Sequence, residues 1–167
     1  MIMTLIGALF AGVVSLAIVI DLATFRIPNL LPAAIVVLFA CAAILAPHRV
    51  DWLGHIGAGL LVLAAGAVAF ARRMLGGGDV KLMASAALWF GWPLLLDYLL
   101  LVGLIGGFFG GVLLLTRPVA PMTEPYWFRL GLDLPRVLRT GEAIPYGMAI
   151  GAAALVLIAT SGSFGGP

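Results

Sequence analysis

The sequence predicts an all-α membrane fold with about six transmembrane helices, and three observations lead there. The chain is 63% hydrophobic and only 10% charged over 167 residues, more apolar surface than a soluble domain of this length can bury. Several apolar runs approach or exceed the roughly 17 residues that cross a bilayer as a helix. Basic residues gather on alternate loops, eight on one side against one on the other. The net charge of +2 argues against a nucleic-acid partner, whereas the composition demands a lipid bilayer.

The runs place spans at 2–20, 30–46, 53–71, 80–92, 94–115 and 143–159. The first has neither a basic leading region nor a small-x-small cleavage site before Asp21, so it is expected to be a retained helix. Pro28 separates it from the second span by fixing its own φ and biasing Ile27 away from helix, and Asn29 suits a helix cap. Cys41, the single cysteine, lies mid-run and reads as a small apolar packing residue. His48, His55 and Asp51 surround the next loop; we read them as interfacial polar residues, and no metal is expected.

The fourth span is short, reaching only about 20 Å against a hydrocarbon layer of roughly 30 Å. It either runs past Pro93 or starts below the headgroups, which would hold Asp79 inside the membrane boundary but open to water. In the fifth span Gly103, Gly107 and Gly111 repeat every four residues, as do Gly106 and Gly110, a pattern that lets helix backbones approach closely. Gly147 and Gly151 repeat likewise in the sixth. The long loop 116–142 sets Arg129, Asp133, Arg136 and Arg139 against Leu130, Leu134, Val137 and Leu138, as in a segment lying in the interface, although Pro135 would split it into two short pieces. Tyr126, Trp127 and Phe128 fit a headgroup-level anchor. We expect one membrane-embedded domain over 1–167, with no soluble domain.

Arg26, Arg72, Arg73, Lys81, Arg117, Arg129, Arg136 and Arg139 lie on one side, and only Arg49 on the other. That bias makes the richer side cytoplasmic and both termini extracytoplasmic. Asp21 and Asp79 then fall at similar depth, at the cytoplasmic ends of spans one and four. An ionisable residue at such a place is by default a functional candidate, and two at one depth suggest a shared site.

Each has a plainer reading. Asp21 could balance Arg26, and Asp79 could cap the helix that follows it. Capping does not require Gly76, Gly77 and Gly78, however; such a run permits positive φ and lets another backbone approach the carboxylate. The run lacks the spacing of a phosphate-binding P-loop.

The stretch Gly76-Gly77-Gly78-Asp79-Val80-Lys81-Leu82 resembles the Gly-x-Gly-Asp signature of the type IV prepilin peptidases, intramembrane aspartyl proteases. Asp21 with Arg26-Ile27-Pro28-Asn29 is similar to the element around that family's first catalytic aspartate. Ile144-Pro145-Tyr146-Gly147 is similar to the start of its last helix. The resemblance implies that Asp21 and Asp79 form the catalytic pair. It implies further that Pro28, Asn29, Gly76, Gly77, Gly78, Lys81 and Pro145 shape the site. The implied substrates are prepilin or pseudopilin precursors, cut at the cytoplasmic face of a bacterial inner membrane beside the pilus-assembly machinery. Bifunctional members carry a large early cytoplasmic loop with paired cysteines, tied to N-methylation. That loop is missing here, so methyltransferase activity is expected to be absent, and the short form most resembles the peptidases of Flp/Tad-type pili.

Two carboxylates within about 3–5 Å of each other resist double ionisation and share a proton. The ionised one can take a proton from water while the protonated one polarises the scissile carbonyl, so no cofactor is expected. Gly76 and Gly78 would let an extended substrate lie against exposed backbone. Lys81 would act either on Asp79 or as a snorkelling anchor. Two other classes compete: a proton-coupled carrier using the same carboxylates, and a noncatalytic assembly subunit held by glycine packing. Replacing each aspartate by asparagine separates them.

Overall fold

A computed structural model describes residues 1–46, 50–142 and 144–161. It is all-helical, with no strand among the described residues: α1 (Ile2–Thr24), α2 (Leu30–Leu45), α3 (Trp52–Ala71), α4 (Gly77–Thr116), α5 (Glu124–Arg129) and α6 (Tyr146–Ser161). Three of these, α1, α3 and α4, are long and apolar enough to cross a membrane, and α2 and α6 are shorter apolar helices. Large side chains such as Leu5, Val19, Leu60, Leu96 and Phe108 are exposed around the bundle, as lipid-facing positions of a helical membrane protein must be.

Helix α1 stops where Phe25 turns left-handed (φ 55°), its amide bonding Asp21 O at 2.8 Å. Asn29 then takes the cap position of α2, but its side chain makes no capping bond. Helix α4 begins three residues before the expected start of the fourth span, because the glycines from Gly77 on enter the helix.

The expected break between spans four and five lies at Gly91, two residues before Pro93. Gly91 has φ 65° and ψ −172°, a backbone that only glycine adopts at little cost. A Cβ there would also meet the His55 ring at 3.0 Å. Pro93 supplies the other half of the break, since its ring clashes with the carbonyl four residues back.

The bend is a reversal. Phe90 and Tyr98 bring their rings within 5.1 Å, which a straight helix would not do for residues eight apart. Gly106 packs on Tyr146 and Gly110 on Ile144, and those two residues share a cavity with Asp79. A straight helix would carry residue 110 about 46 Å from residue 79. The two arms of α4 are therefore antiparallel.

The first arm runs back along α3, with Val80 against Gly66 and Leu88 against Gly59. Helix α6 is antiparallel to α1, since Gly147 meets Asp21 and Gly151 meets Ile18 and Val14. Both helix ends at residues 2 and 161 thus lie at the end of the bundle opposite Asp21. Phe10 of α1 stacks on Trp89 of α4 with centroids 4.3 Å apart, in a core that also buries Val14, Ile35, Leu82, Tyr98 and Ile150.

Two expectations need correction. The Gly106/Gly110 face of α4 does receive α6, but a Cβ on Gly103, Gly107 or Gly111 would touch nothing within 4 Å. The two glycine rows lie on different faces, and only one has a helix partner. The sixth helix begins at Tyr146, because Pro145 biases Ile144 out of helix. The long loop is broken at Pro135, as its sequence suggests: α5 and a 3-10 turn over Arg136–Leu138 flank the non-helical stretch that ends there. Tyr126 and Phe128 are exposed, and Trp127 Nε1 donates to Thr123 Oγ1 at 3.0 Å. His48 and Arg49 lie outside the described residues, as does Ala143. His55 is buried, with Nδ1 2.9 Å from Leu88 O.

Candidate active site

Asp21 and Asp79 face one cavity of about 710 Å³. Its wall comprises the end of α1 with Phe25, the α3–α4 turn (Arg73, Met74, Leu75, Gly76), Phe70, and the start of α6 (Ile144, Pro145, Tyr146). Three separate segments of the chain thus converge on two acids that lie 58 residues apart in sequence.

Asp21 is only 4% exposed. Its Oδ2 is buried and makes no hydrogen bond, while the amides of Gly147 and Met148 act on the carboxylate from the first turn of α6. A buried polar atom without a partner is costly and is retained where function needs it. Asp79 sits in the first turn of α4, where Oδ2 accepts the Gly76 amide at 3.2 Å. This is half of a capping box; the reciprocal half is missing because Gly76 has no side chain. Asp79 is therefore not the cap residue itself but the third residue of the helix. The Gly147 amide acts on Asp79 as well as Asp21, and the charge of Asp21 reaches Asp79.

The bridging element is the α1–α2 turn. A Cβ on Gly78 would lie 3.0 Å from Ile27 Cβ and 3.1 Å from Ile27 O. A Cβ on Gly147 would lie 2.6 Å from Ile27 Cδ1 and 2.8 Å from Asp21 Oδ2. Ile27 is thus wedged between the helix carrying Asp79 and the helix start beside Asp21, in gaps that exist because both neighbours are glycine. The backbone approach expected at Gly78 is real, but the approaching chain is the protein's own turn. Gly76 faces Asp79 itself, and Gly77 packs on the Phe70 ring.

Asn29 Oδ1 accepts a hydrogen bond from Lys81 Nζ at 2.8 Å, tying that turn to α4 a second time. Lys81 is directed to Asn29 and does not line the acid cavity. Pro28 is exposed, and Pro145 is fully buried in the cavity wall. Arg136 from the long loop lies over the Phe25 ring at 5.2 Å and pairs with Glu142 at 3.4 Å, so that loop rests on the cavity rim.

Sequence reasoning missed two contributors. Gly147 was read as helix packing and as part of the start of the last helix but not as a contact of the acids, although its place directly after Pro145-Tyr146 marks a first turn with free amides. Arg73, counted only among the loop charges that set the orientation, lines the cavity with φ 58°. It closes α3 as a Schellman motif, Met74 N bonding Ala69 O and Arg73 N bonding Phe70 O, each at 2.9 Å. Glycine is the usual residue at that left-handed position.

Two carboxylates sunk at one end of an apolar helical bundle, opening on a common chamber, define a membrane protein built around an acid pair. A profile of the type IV leader peptidase family matches residues 8–111, which is more than half the chain and includes both acids. The chain belongs to that family, which is one of proteases. No curated protein and no solved structure matches it.

Proposed function

We propose that the chain is an intramembrane aspartic endopeptidase that removes leader peptides from type IV, Flp-like prepilins. The observation that carries this reading is the convergence of Asp21 and Asp79 on one cavity with the Gly147 amide between them. In the working state one carboxylate is ionised and the other protonated. The ionised acid takes a proton from water as the water oxygen attacks the scissile carbonyl. The protonated acid gives its proton to the carbonyl oxygen, yielding a neutral gem-diol. Collapse returns a proton through the dyad to the leaving nitrogen, the C–N bond breaks, and both acids regain their starting states. Water is the nucleophile, no cofactor takes part, and the roles of the two acids belong to the pair.

The cavity is large enough for a short extended segment, and its apolar walls (Phe25, Phe70, Met74, Leu75, Ile144) suit the unwound end of a hydrophobic helix. In this reading the two arms of α4 cross separately, giving six crossings of a bacterial cytoplasmic membrane. The acids lie at the cytoplasmic face and both termini outside, in keeping with the loop charges. The early cytoplasmic loop tied to N-methylation is missing, so the protein trims without methylating.

The test incubates purified protein with a candidate prepilin and maps the products by mass spectrometry, beside Asp21→Asn and Asp79→Asn. A single cut that both variants abolish supports the proposal. Unchanged cutting by either variant refutes the dyad.

A further inference from the structure

A second concavity lies on the bundle's outer face, away from the acids. Helices α2 and α3 both pack on the first arm of α4, leaving a groove of about 400 Å³ between them. Its walls are Pro32, Ala33 and Val36 from α2 and Ile56, Leu60 and Leu63 from α3. The floor is Ala84, Ser85 and Leu88. Ser85 adds no polar handle, because its hydroxyl donates to Leu82 O at 2.9 Å. Polarity is confined to one end, where Asn29 and Lys81 close the groove.

That end carries an unmatched charge. Lys81 Nζ donates to Asn29 Oδ1, a neutral oxygen that holds the ammonium in place without cancelling it. Among the described residues no carboxylate lies within ion-pairing distance of Lys81; the ion pair there is Arg136 with Glu142. Arg26, exposed and three residues before Asn29, adds a second cation to the same turn. The ammonium has two further N–H donors, and the Asn29 amide has its own.

The groove's course suits a lipid. From Lys81 to Leu88 the floor rises about 10 Å along the helix, within the roughly 15 Å depth of one hydrocarbon leaflet. Lys81 lies two residues from Asp79, about 3 Å higher along the helix, at the end of the bundle where Arg72 and Arg73 also sit, which is headgroup level under the charge rule. Basic pockets between membrane helices are established receivers of anionic headgroups.

We propose that this groove seats an acyl chain of an anionic phospholipid, with its phosphate held by Lys81 Nζ and the Asn29 amide. The lipid would brace the α1–α2 turn from outside, since Asn29 is two residues from the Ile27 wedge.

The test is native mass spectrometry of the full-length protein released from micelles containing equimolar phosphatidylglycerol and phosphatidylcholine with identical chains. Wild type should retain one phosphatidylglycerol in preference to phosphatidylcholine. Lys81→Gln should lose about fivefold of that preference, the weight of one basic residue at an anionic membrane surface, and Lys81→Arg should keep it. Ala33→Trp, which fills the groove from an exposed position of α2, should lose both lipids. Circular dichroism and gel filtration identify variants that are folded, and Lys81→Arg decides the matter if Lys81→Gln is not among them. Equal retention of the two lipids by wild type overturns the proposal, as does loss of preference in Lys81→Arg. Undiminished retention by folded Ala33→Trp also overturns it, leaving the groove to an apolar helix of a protein partner.

Discussion

The most exposing perturbation of the acid pair is a single methyl group at position 147. In Gly147→Ala the new Cβ would sit 2.6 Å from Ile27 Cδ1, 2.8 Å from Asp21 Oδ2 and 2.9 Å from Asp21 Cγ. The Ile27 methyl ends a flexible side chain and can rotate aside. The Asp21 carboxyl is short and buried, so either it turns or α6 retreats. Restoring ordinary contact at about 3.4 Å requires a shift of about 0.6 Å, slightly beyond the roughly 0.5 Å within which catalytic groups must be held.

A misplacement of about 1 Å costs about 100-fold in rate, so kcat should fall by about 10- to 100-fold while KM changes little. Overpacking of this kind costs about 1–3 kcal/mol of stability, so the variant should still insert and fold. The assay is the initial rate of leader release from a purified prepilin, followed by mass spectrometry at several substrate concentrations. Gly103→Ala is the control, because a Cβ there meets nothing within 4 Å and alanine is the better helix former. If folded Gly147→Ala cuts within twofold of wild type, the first turn of α6 does not set the position of Asp21.

Three further outcomes follow from the same geometry. Asp21→Asn and Asp79→Asn should each lower kcat by about 10⁴-fold or more, the scale for removing one member of a catalytic unit, with insertion unchanged in membrane fractions; activity above that from either would remove it from the pair. Gly78→Val should abolish measurable cleavage by pushing the Ile27 backbone off α4, and protease-accessibility mapping should find the 25–29 turn newly exposed; normal processing would show the contact to be dispensable. Arg73→Gly should raise stability by about 1 kcal/mol, the cost of a left-handed non-glycine residue, read as a higher unfolding midpoint in detergent; an unchanged or lower midpoint would mean that the arginine side chain repays the strain through its own contacts.

Much of this arrangement could be read before any coordinates. The apolar runs carry their helices because a bilayer forces backbone bonds to close within each segment, so length and hydropathy suffice. The Gly-Gly-Gly-Asp and Asp-Leu-Ala-Thr-Phe-Arg-Ile-Pro segments were legible because backbone freedom beside an intramembrane carboxylate has few other uses. Features that depend on a neighbour were not legible. Which glycine row of α4 meets α6 is decided by the reversal at Gly91, and the eye goes first to Pro93 as the breaker. Asn29 looks like a cap, and nothing local shows that its oxygen is taken by a lysine 52 residues later. Gly147 sits in a run of small residues that fits helix packing equally well, and only the fold brings Asp21 to it.

The lodging of Ile27 between Gly78 and Gly147 ties three distant positions into one volume. Related chains should therefore trade bulk among them: a valine at the place of Ile27 frees the space of the methyl that stands 2.6 Å from a would-be Cβ on Gly147, and alanine becomes easier to admit there. Such paired exchanges, appearing together more often than either alone, would be the evolutionary imprint of a keystone.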